Sequence, residues 1–270
     1  LRNLTMITKT VELIEQGRGI KVDINNIPLD DKPTYEMLTK GDTVGVFQLE
    51  SEGMKNLVRR LKPDVFDDLG ALVALFRPGP LGSGMVDDFV ARKHGEQEIT
   101  YAHPLLEPVL KDTYGTIVYQ EQIMKVFQVL ADYSLGQADQ VRRMMGKKDL
   151  KAMEEQKDKF IEASAKHDMK KEDAINLFNQ ILAFASYCFN QSHSAAYAFV
   201  AYQTAYLKRH YPVEYLSCLL SSVSDNKEQT QKYLVEAQKT GIKVLPPDIN
   251  KSDSKFTPDG DNIRFGLGSI

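Results

Sequence analysis

The stretch FNQSHSAAYAFVAYQTAYLKRHYP, residues 189–212, decides the class of fold because it predicts a long helix. Asn190, Ser192 and Ser194 are strong N-cap residues, and a proline follows the far end. We therefore expect a helix over about 193–210. Its first turn would carry unpaired N–H groups and the positive end of the helix dipole, which together favour an anion. The alternative is a capped helix whose small residues pack against another element.

One face of this helix combines several kinds of side chain. Helical spacing places His193, Tyr197 and Lys208 along a single stripe, with small residues between them. The stripe therefore offers an imidazole near the helix start, then an aromatic ring, then a cation.

Outward from this helix, apolar residues at helical spacing recur along most of the chain, so we expect a mainly α, multi-helix fold. Small β elements are predicted near residues 43–49 and 242–267. Ser51 is expected to cap a helix. The segment FRPGPLGSGM, residues 76–85, is expected to be a stiff, tightly turned loop because two prolines and three glycines exclude a helix interior.

The composition is that of an ordinary globular protein. The 270 residues are 42% hydrophobic and 26% charged, with a net charge of −3. No stretch approaches the roughly 20 apolar residues of a membrane span, and two isolated cysteines favour a reducing compartment, so we expect a cytoplasmic protein without membrane contact. The chain begins in mid-helix without Met, which indicates a piece of a longer protein.

Positive charge is concentrated in one short segment. Residues 142–151 contain five basic side chains and one acid: Arg142, Arg143, Lys147, Lys148 and Lys151 against Asp149. We expect two helices broken here, with Gly146 as the left-handed stop and Asp149 as the next N-cap. Arginine forks suit phosphate, although such a segment is also typical of a solvated face.

Arg77 lies at the entrance of the loop at 76–85. Glycines there permit close backbone approach to an anion, but a structural turn with a paired arginine is equally consistent with the sequence. Adjacent carboxylates such as Asp67 and Asp68 indicate caps and turns rather than a metal site, because neighbours on a helix point about 100° apart. Nucleotide-binding glycine motifs and the H-E-x-x-H motif are absent from the sequence.

Four stretches of the chain carry a resemblance in their order and spacing: GVFQLESEGM, ALFRPGPLGSGMVDDF, YGTIVYQEQIM with ADQVRRMMGKK, and FNQSHSAAYAFVAYQTAYLKRHYP. Taken together, they resemble the fingers region of the bacterial C-family replicative DNA polymerases, the DNA polymerase III α subunits. The resemblance covers essentially the whole chain. It implies a multi-helix fingers domain.

The resemblance also implies template-directed addition of deoxynucleotides to a primer 3′ end, with Mg²⁺ held by carboxylates of the palm. Those carboxylates would precede this chain, so we expect no catalytic residue and no metal ligand here, and no activity from the isolated chain. The implied partners are primer-template DNA and deoxynucleoside triphosphates, with a sliding clamp and other replisome subunits in the parent protein. The implied domains are a helix and linker from the palm at 1–30, fingers at 31–225, and a segment leading toward a helix-hairpin-helix region at 226–270.

Matching motif positions assign roles to individual residues. The residues expected to bind the nucleotide are Arg77, Arg142, Arg143, Lys147, Lys148, Asn190, Ser192 and His193. Those expected to bind DNA are Lys151, Gln191, Tyr197 and Lys208. Gln191 stands where the family usually has a lysine, which weakens phosphate attraction at that position.

A second hypothesis is a non-catalytic helical module that binds nucleic acid through the same basic segment. Its binding would depend on salt and be indifferent to nucleotide, whereas a fingers domain in its parent should bind primer-template more tightly when the correct triphosphate is present.

Overall fold

The computed structural model describes residues 2–185 and 187–269, and it shows the mainly α fold that the sequence predicts. Leu1, Ser186 and Ile270 lie outside the described residues. Leu1 is the predicted start of the first domain, and Ile270 is the predicted end of the last. The helices are α1 (Arg2–Arg18), α2 (Lys32–Thr39), α3 (Glu52–Leu61), α4 (Phe66–Leu75), α5 (Pro78–Gly82), α6 (Met85–Lys93), α7 (Glu107–Leu110), α8 (Gln120–Ala131), α9 (Leu135–Gly146), α10 (Leu150–Glu154), α11 (Lys157–Ser164), α12 (Lys171–Ala185), α13 (Gln191–His210), α14 (Pro212–Ser222) and α15 (Lys227–Lys239).

The chain divides into two compact units. The first unit comprises Leu1–Leu69 and Tyr197–Ile270, and the second comprises Gly70–Ala196. Helices α4 and α13 each contribute residues to both units.

In the first unit, α1 packs against α14. The shared core is apolar, and each large side chain buried there contributes about 1.5–3 kcal/mol. Its buried members include Met6, Ile7, Ile14, Leu207, Val213, Tyr215, Leu216, Leu219, Phe256 and Ile263.

The second unit is built around three phenylalanines from α8, α11 and α12. The ring of Phe127 lies 5.0 Å from that of Phe160 and 6.3 Å from that of Phe178, and the latter two are 5.6 Å apart. All three side chains are fully buried. Such tilted and edge-to-face pairs add stabilisation beyond the burial itself.

The predicted β elements near 242–267 are confirmed as a small sheet in the first unit. Its strands are β1 (Val244–Leu245), β2 (Thr257–Asp259) and β3 (Asn262–Arg264), in the order β1-β3-β2. The β1–β3 pair is parallel and the β2–β3 pair is antiparallel. Gly260 and Asp261 form the two-residue connection between β2 and β3, and Gly260, at φ 62°, supplies the positive φ that such a hairpin turn favours.

The β element predicted near 43–49 is wrong, because this segment forms successive turns. The N–H groups of Val46 and Leu49 donate to carbonyl oxygens three residues earlier, and the Thr43 hydroxyl donates to the Leu49 carbonyl at 2.6 Å. Gly45 and Gln48 both have positive φ, at 77° and 63°, which breaks the extended backbone of a strand. Alternating apolar residues therefore reflect burial here and not strand pairing.

Local signals elsewhere are largely confirmed. The Ser51 hydroxyl caps α3 by accepting from the N–H of Met54 at 3.3 Å. The stiff segment at 76–85 is not wholly a loop, since Pro78 begins the single turn α5 and its missing N–H costs nothing at a first helical position. Among the described residues, no helix combines the length and apolar character that crossing a bilayer requires.

Candidate functional site

We call Arg142, Arg143, Lys147, Lys148 and Lys151 the basic elbow, because they span the break between α9 and α10 in the second unit. Helix α9 is fixed at its start by a capping box, in which Ser134 and Gln137 exchange hydrogen bonds between side chain and backbone.

The break itself differs from the sequence prediction. Gly146 remains within α9, and Lys148 takes the left-handed conformation, with φ at 55°. The N–H of Lys148 donates to the Met145 carbonyl at 2.9 Å, and the N–H of Asp149 donates to the Met144 carbonyl at 2.9 Å. These bonds satisfy carbonyls at the end of α9 and offset the cost of left-handed backbone at a lysine, about 1–2 kcal/mol. The Asp149 carboxylate then caps α10 as predicted, accepting from Ala152 at 3.1 Å.

The two arginines of the elbow are held by one carboxylate. The Nε atoms of Arg142 and Arg143 donate to the two oxygens of Asp139, at 2.8 and 2.9 Å. The arginines' hydrogen bonds lower the pKa of Asp139. Among the described residues, each guanidinium is hydrogen-bonded through Nε alone, while 38% of the Arg142 side chain and 70% of the Arg143 side chain are exposed. Asp139 therefore orients both forks and leaves their outer donors for a ligand.

The three lysines of the elbow are exposed. Lys147, Lys148 and Lys151 form no ion pair with any described residue. The elbow is therefore a cluster of exposed basic side chains in which only the two arginines are paired with a described acidic residue, Asp139.

Helix α13 begins at Gln191, two residues before the predicted start. Asn190 is its N-cap, with Oδ1 accepting from the N–H of His193 at 2.8 Å. Gln191, Ser192 and His193 are exposed, whereas Ser194 is buried and donates to the Gly70 carbonyl at 2.6 Å. The cap is predictable from the sequence, and the structure shows the Ser192 and His193 side chains exposed in the first turn of α13.

The anion at this helix start is the chain's own. The carboxylate of Glu121 accepts from Nδ2 of Asn190 at 2.8 Å and from the N–H of Gln191 at 2.9 Å. Glu121 lies 70 residues earlier in the chain, so no local spacing could have revealed it. The helix dipole favours a negative charge at this position, and the Glu121 carboxylate supplies it from within the chain.

Arg77 is engaged with the backbone and with a ring. Its Nε donates to the Ala74 carbonyl at 2.8 Å, its Nη2 donates to the Tyr187 carbonyl, and its guanidinium lies 4.6 Å from the centre of the Phe189 ring. Burial lowers the pKa of Arg77. These contacts favour the structural-turn alternative, and binding of nucleotide by Arg77 stays a prediction.

Two further candidates lie in the first unit. Tyr197 packs its ring against Phe47 at 5.3 Å and remains partly exposed. Lys208 is only 3% exposed, and its ammonium donates to Glu236 at 2.6 Å and to the carbonyls of Asp42 and Val44 at 3.0 and 2.8 Å. Burial lowers the pKa of Lys208, and Glu236 opposes that shift. All three ammonium protons are bound internally, which leaves none to donate to a nucleic acid.

The described residues contain no group of three or more His, Cys, Asp or Glu side chains that could hold a metal ion.

Comparison with known sequences gives the family. Residues 3–168 match the sequence model described as bacterial DNA polymerase III alpha subunit finger domain. The chain belongs to this family. A helix-hairpin-helix motif model also matches residues 241–270, the segment that carries β1, β2 and β3.

The curated relatives of this finger-domain chain are named DNA polymerase III subunit alpha. The chain is 48% identical over 271 residues to the protein of Aquifex aeolicus and 49% identical over 280 residues to that of Pseudomonas aeruginosa. The protein of Escherichia coli strain K12 is 48% identical over 280 residues. All of the chain is covered in each case, but only 23 or 24% of the relative, so the chain spans about a quarter of their length.

Proposed function

We propose that this chain is the fingers portion of a replicative DNA polymerase and binds the incoming deoxynucleoside triphosphate together with the primer-template. The basic elbow is the observation that carries the proposal. Two forks oriented by Asp139 and three exposed lysines form a cluster suited to several phosphate oxygens at once. The activity of the parent would be template-directed addition of deoxynucleotides to a primer 3′ end, in the cytoplasm.

Within this scheme the residues divide by the family motif positions that they match. Arg142, Arg143, Lys147 and Lys148 would hold the triphosphate, with Ser192 and His193 contributing from the start of α13. Lys151, Gln191 and Tyr197 would contact DNA. Binding there is electrostatic, which predicts a strong dependence on salt.

Other parts of the activity fall outside this chain. Mg²⁺ would be held by palm carboxylates elsewhere in the parent, where it would assist attack by the 3′ hydroxyl and departure of pyrophosphate. The isolated chain would then be inactive. A sliding clamp and other replisome subunits are proposed partners of the parent only.

The test is steady-state kinetics of the full-length polypeptide that contains this chain. Arg142→Ala and Arg143→Ala should each raise the KM for nucleotide or lower kcat by about tenfold or more, because each loses a charge-assisted hydrogen bond. Affinity for primer-template should change little. Arg209→Ala is the matched control, since Arg209 is exposed in the first unit and forms no ion pair with a described residue.

Two outcomes would contradict the proposal. Unchanged kinetics in both elbow variants would remove them from the nucleotide site. Lost DNA affinity with a shallower salt dependence, at unchanged nucleotide KM, would favour the non-catalytic nucleic-acid-binding module instead.

A further inference from the structure

The segment just before α13 is tied to the start of α8. Tyr119 and Phe189 form an isolated parallel bridge, in which the N–H of Gln120 donates to the Phe189 carbonyl at 2.9 Å and the N–H of Phe189 donates to the Val118 carbonyl at 3.1 Å. Two backbone hydrogen bonds therefore fix residues 118–120 and 189 side by side.

Arg77 ties the same segment a second time. Its guanidinium donates to the Tyr187 carbonyl and lies over the Phe189 ring. A Cβ placed on Gly79 would come within 2.3 Å of the Tyr187 ring, so the backbone of α5 approaches that ring as closely as a glycine allows. The segment leading into α13 is therefore held by two different elements of the second unit.

Glu121 extends this attachment into the helix itself. Its two carboxylate oxygens bind one side-chain donor and one backbone donor, from Asn190 and Gln191. The bonded Asn190 amide then uses its own oxygen to accept from the N–H of His193. A single carboxylate thus fixes the cap residue, and the cap residue fixes the backbone of His193.

The N–H groups of the first turn are mostly satisfied as a result. Gln191 donates to Glu121, His193 donates to the Asn190 side chain, and Ser194 donates to the Asn190 carbonyl at 3.1 Å. A phosphate could use the first two groups only by displacing these acceptors. The Glu121 carboxylate also places negative charge where the helix dipole would otherwise attract an external anion.

We propose that Glu121 is a positioning residue of the nucleotide site: it fixes the Asn190–His193 turn so that the triphosphate meets the Ser192 hydroxyl and the His193 imidazole instead of the helix backbone. The inference rests on the proposed function, because it assumes that Ser192 and His193 contribute to the nucleotide site. It adds to that function a residue that does not itself touch the substrate. Small errors in such positions are costly, since a misplacement of about 1 Å can reduce a rate by about 100-fold.

The experiment is a substitution series in the full-length polypeptide, with Glu121→Ala, Glu121→Asp and Glu121→Gln. Alanine removes both acceptors, aspartate shortens the reach by one methylene, and glutamine keeps the size and one acceptor but removes the charge. Each variant is measured for kcat, nucleotide KM, primer-template Kd and thermal unfolding.

Glu172→Ala and Glu172→Gln are the matched controls. Glu172 is also a glutamate near a helix start, in the first turn of α12, and its side chain is exposed. These controls make the same change of charge without removing an inter-element bond.

The expected result is a fall in kcat of about tenfold or more for Glu121→Ala and Glu121→Asp, with partial rescue by Glu121→Gln. The Glu172 controls should stay at the wild-type level. A lower nucleotide KM in Glu121→Gln would overturn the proposal, because it would mean that the carboxylate competes with the triphosphate for the helix start. Loss of thermal stability with unchanged kcat in the folded protein would show a structural cap only, and would also overturn it.

The Arg142 and Arg143 variants separate this inference from the proposed function. If they impair nucleotide use while the Glu121 series does not, the positioning role alone fails. If neither set has an effect, the proposed function fails with it.

Discussion

The basic elbow and Lys208 look alike in the sequence but have opposite environments in the structure. The lysines of the elbow are exposed and form no ion pair with a described residue, and its arginines share one partly exposed acid. Lys208 lies in the interior of the first unit, where one carboxylate and two carbonyls bind its ammonium. Both were predicted to contact nucleotide or DNA.

The difference shows that the surroundings of a cation, and not its place on a helical stripe, decide its role. An exposed cation loses little by binding a phosphate. A buried, fully bonded ammonium could reach a phosphate only by leaving Glu236 uncompensated in the interior, which is strongly unfavourable. Lys208 therefore stabilises the fold, whereas the elbow is free to bind.

The largest expected effect is on stability, in Lys208→Ala. Removing one partner of a buried ion pair costs about 3–5 kcal/mol, because the Glu236 carboxylate is left unpaired. Denaturant unfolding would measure the loss. The double variant Lys208→Met with Glu236→Leu should recover most of it, and an unchanged unfolding midpoint in Lys208→Ala would contradict the internal role of the lysine.

Within the second unit, two buried threonines differ in the same way in how their polar groups are bound: one hydroxyl is hydrogen-bonded to described residues and the other is not. The Thr113 hydroxyl donates to the Thr116 carbonyl at 2.6 Å and accepts from Gln122 at 2.7 Å, whereas the Thr116 hydroxyl has no hydrogen-bond partner among the described residues. Thr113→Val should lower the free energy of unfolding by about 1–3 kcal/mol. Thr116→Val should leave it unchanged or raise it, as measured by denaturant unfolding, and equal losses in the two variants would contradict these assignments.

How far the sequence predicted the molecule depended on the range of the interaction. Most local signals were reliable: Ser51 and Asp149 cap the predicted helices and the strands near 242–267 exist, although the strand predicted near 43–49 does not form. The left-handed residue at the elbow was predicted to be Gly146, but the structure places that conformation at Lys148. A glycine permits left-handed backbone without requiring it.

Long-range partners were not predictable from one sequence. Glu121 and Asn190 are 69 positions apart, and Lys208 and Glu236 are 28 apart on different helices. Neither pairing has a spacing signature, because only the tertiary fold brings the groups together. The residue types of the candidate site can therefore be identified from the sequence, but the partners that hold those residues cannot.

Asp139→Ala tests the exposed side of the comparison and is expected to have a smaller effect. Asp139 pairs with the two arginines assigned to the triphosphate, so its removal should leave primer-template affinity and its salt dependence near the wild-type values. It also releases the two arginines from a fixed orientation, so kcat/KM for nucleotide should fall by about threefold to tenfold. A rise in both quantities would mean that the elbow acts by charge alone.

The most direct test of the central claim is a primer-template titration with and without the correct triphosphate and Mg²⁺, in the full-length polypeptide and its Arg142→Ala/Arg143→Ala double variant. We predict that the nucleotide tightens DNA binding in the wild type, and that the double variant loses this gain while keeping its nucleotide-free affinity. Wild-type binding that depends on salt but is indifferent to nucleotide would contradict the account, as would a double variant that keeps the full gain.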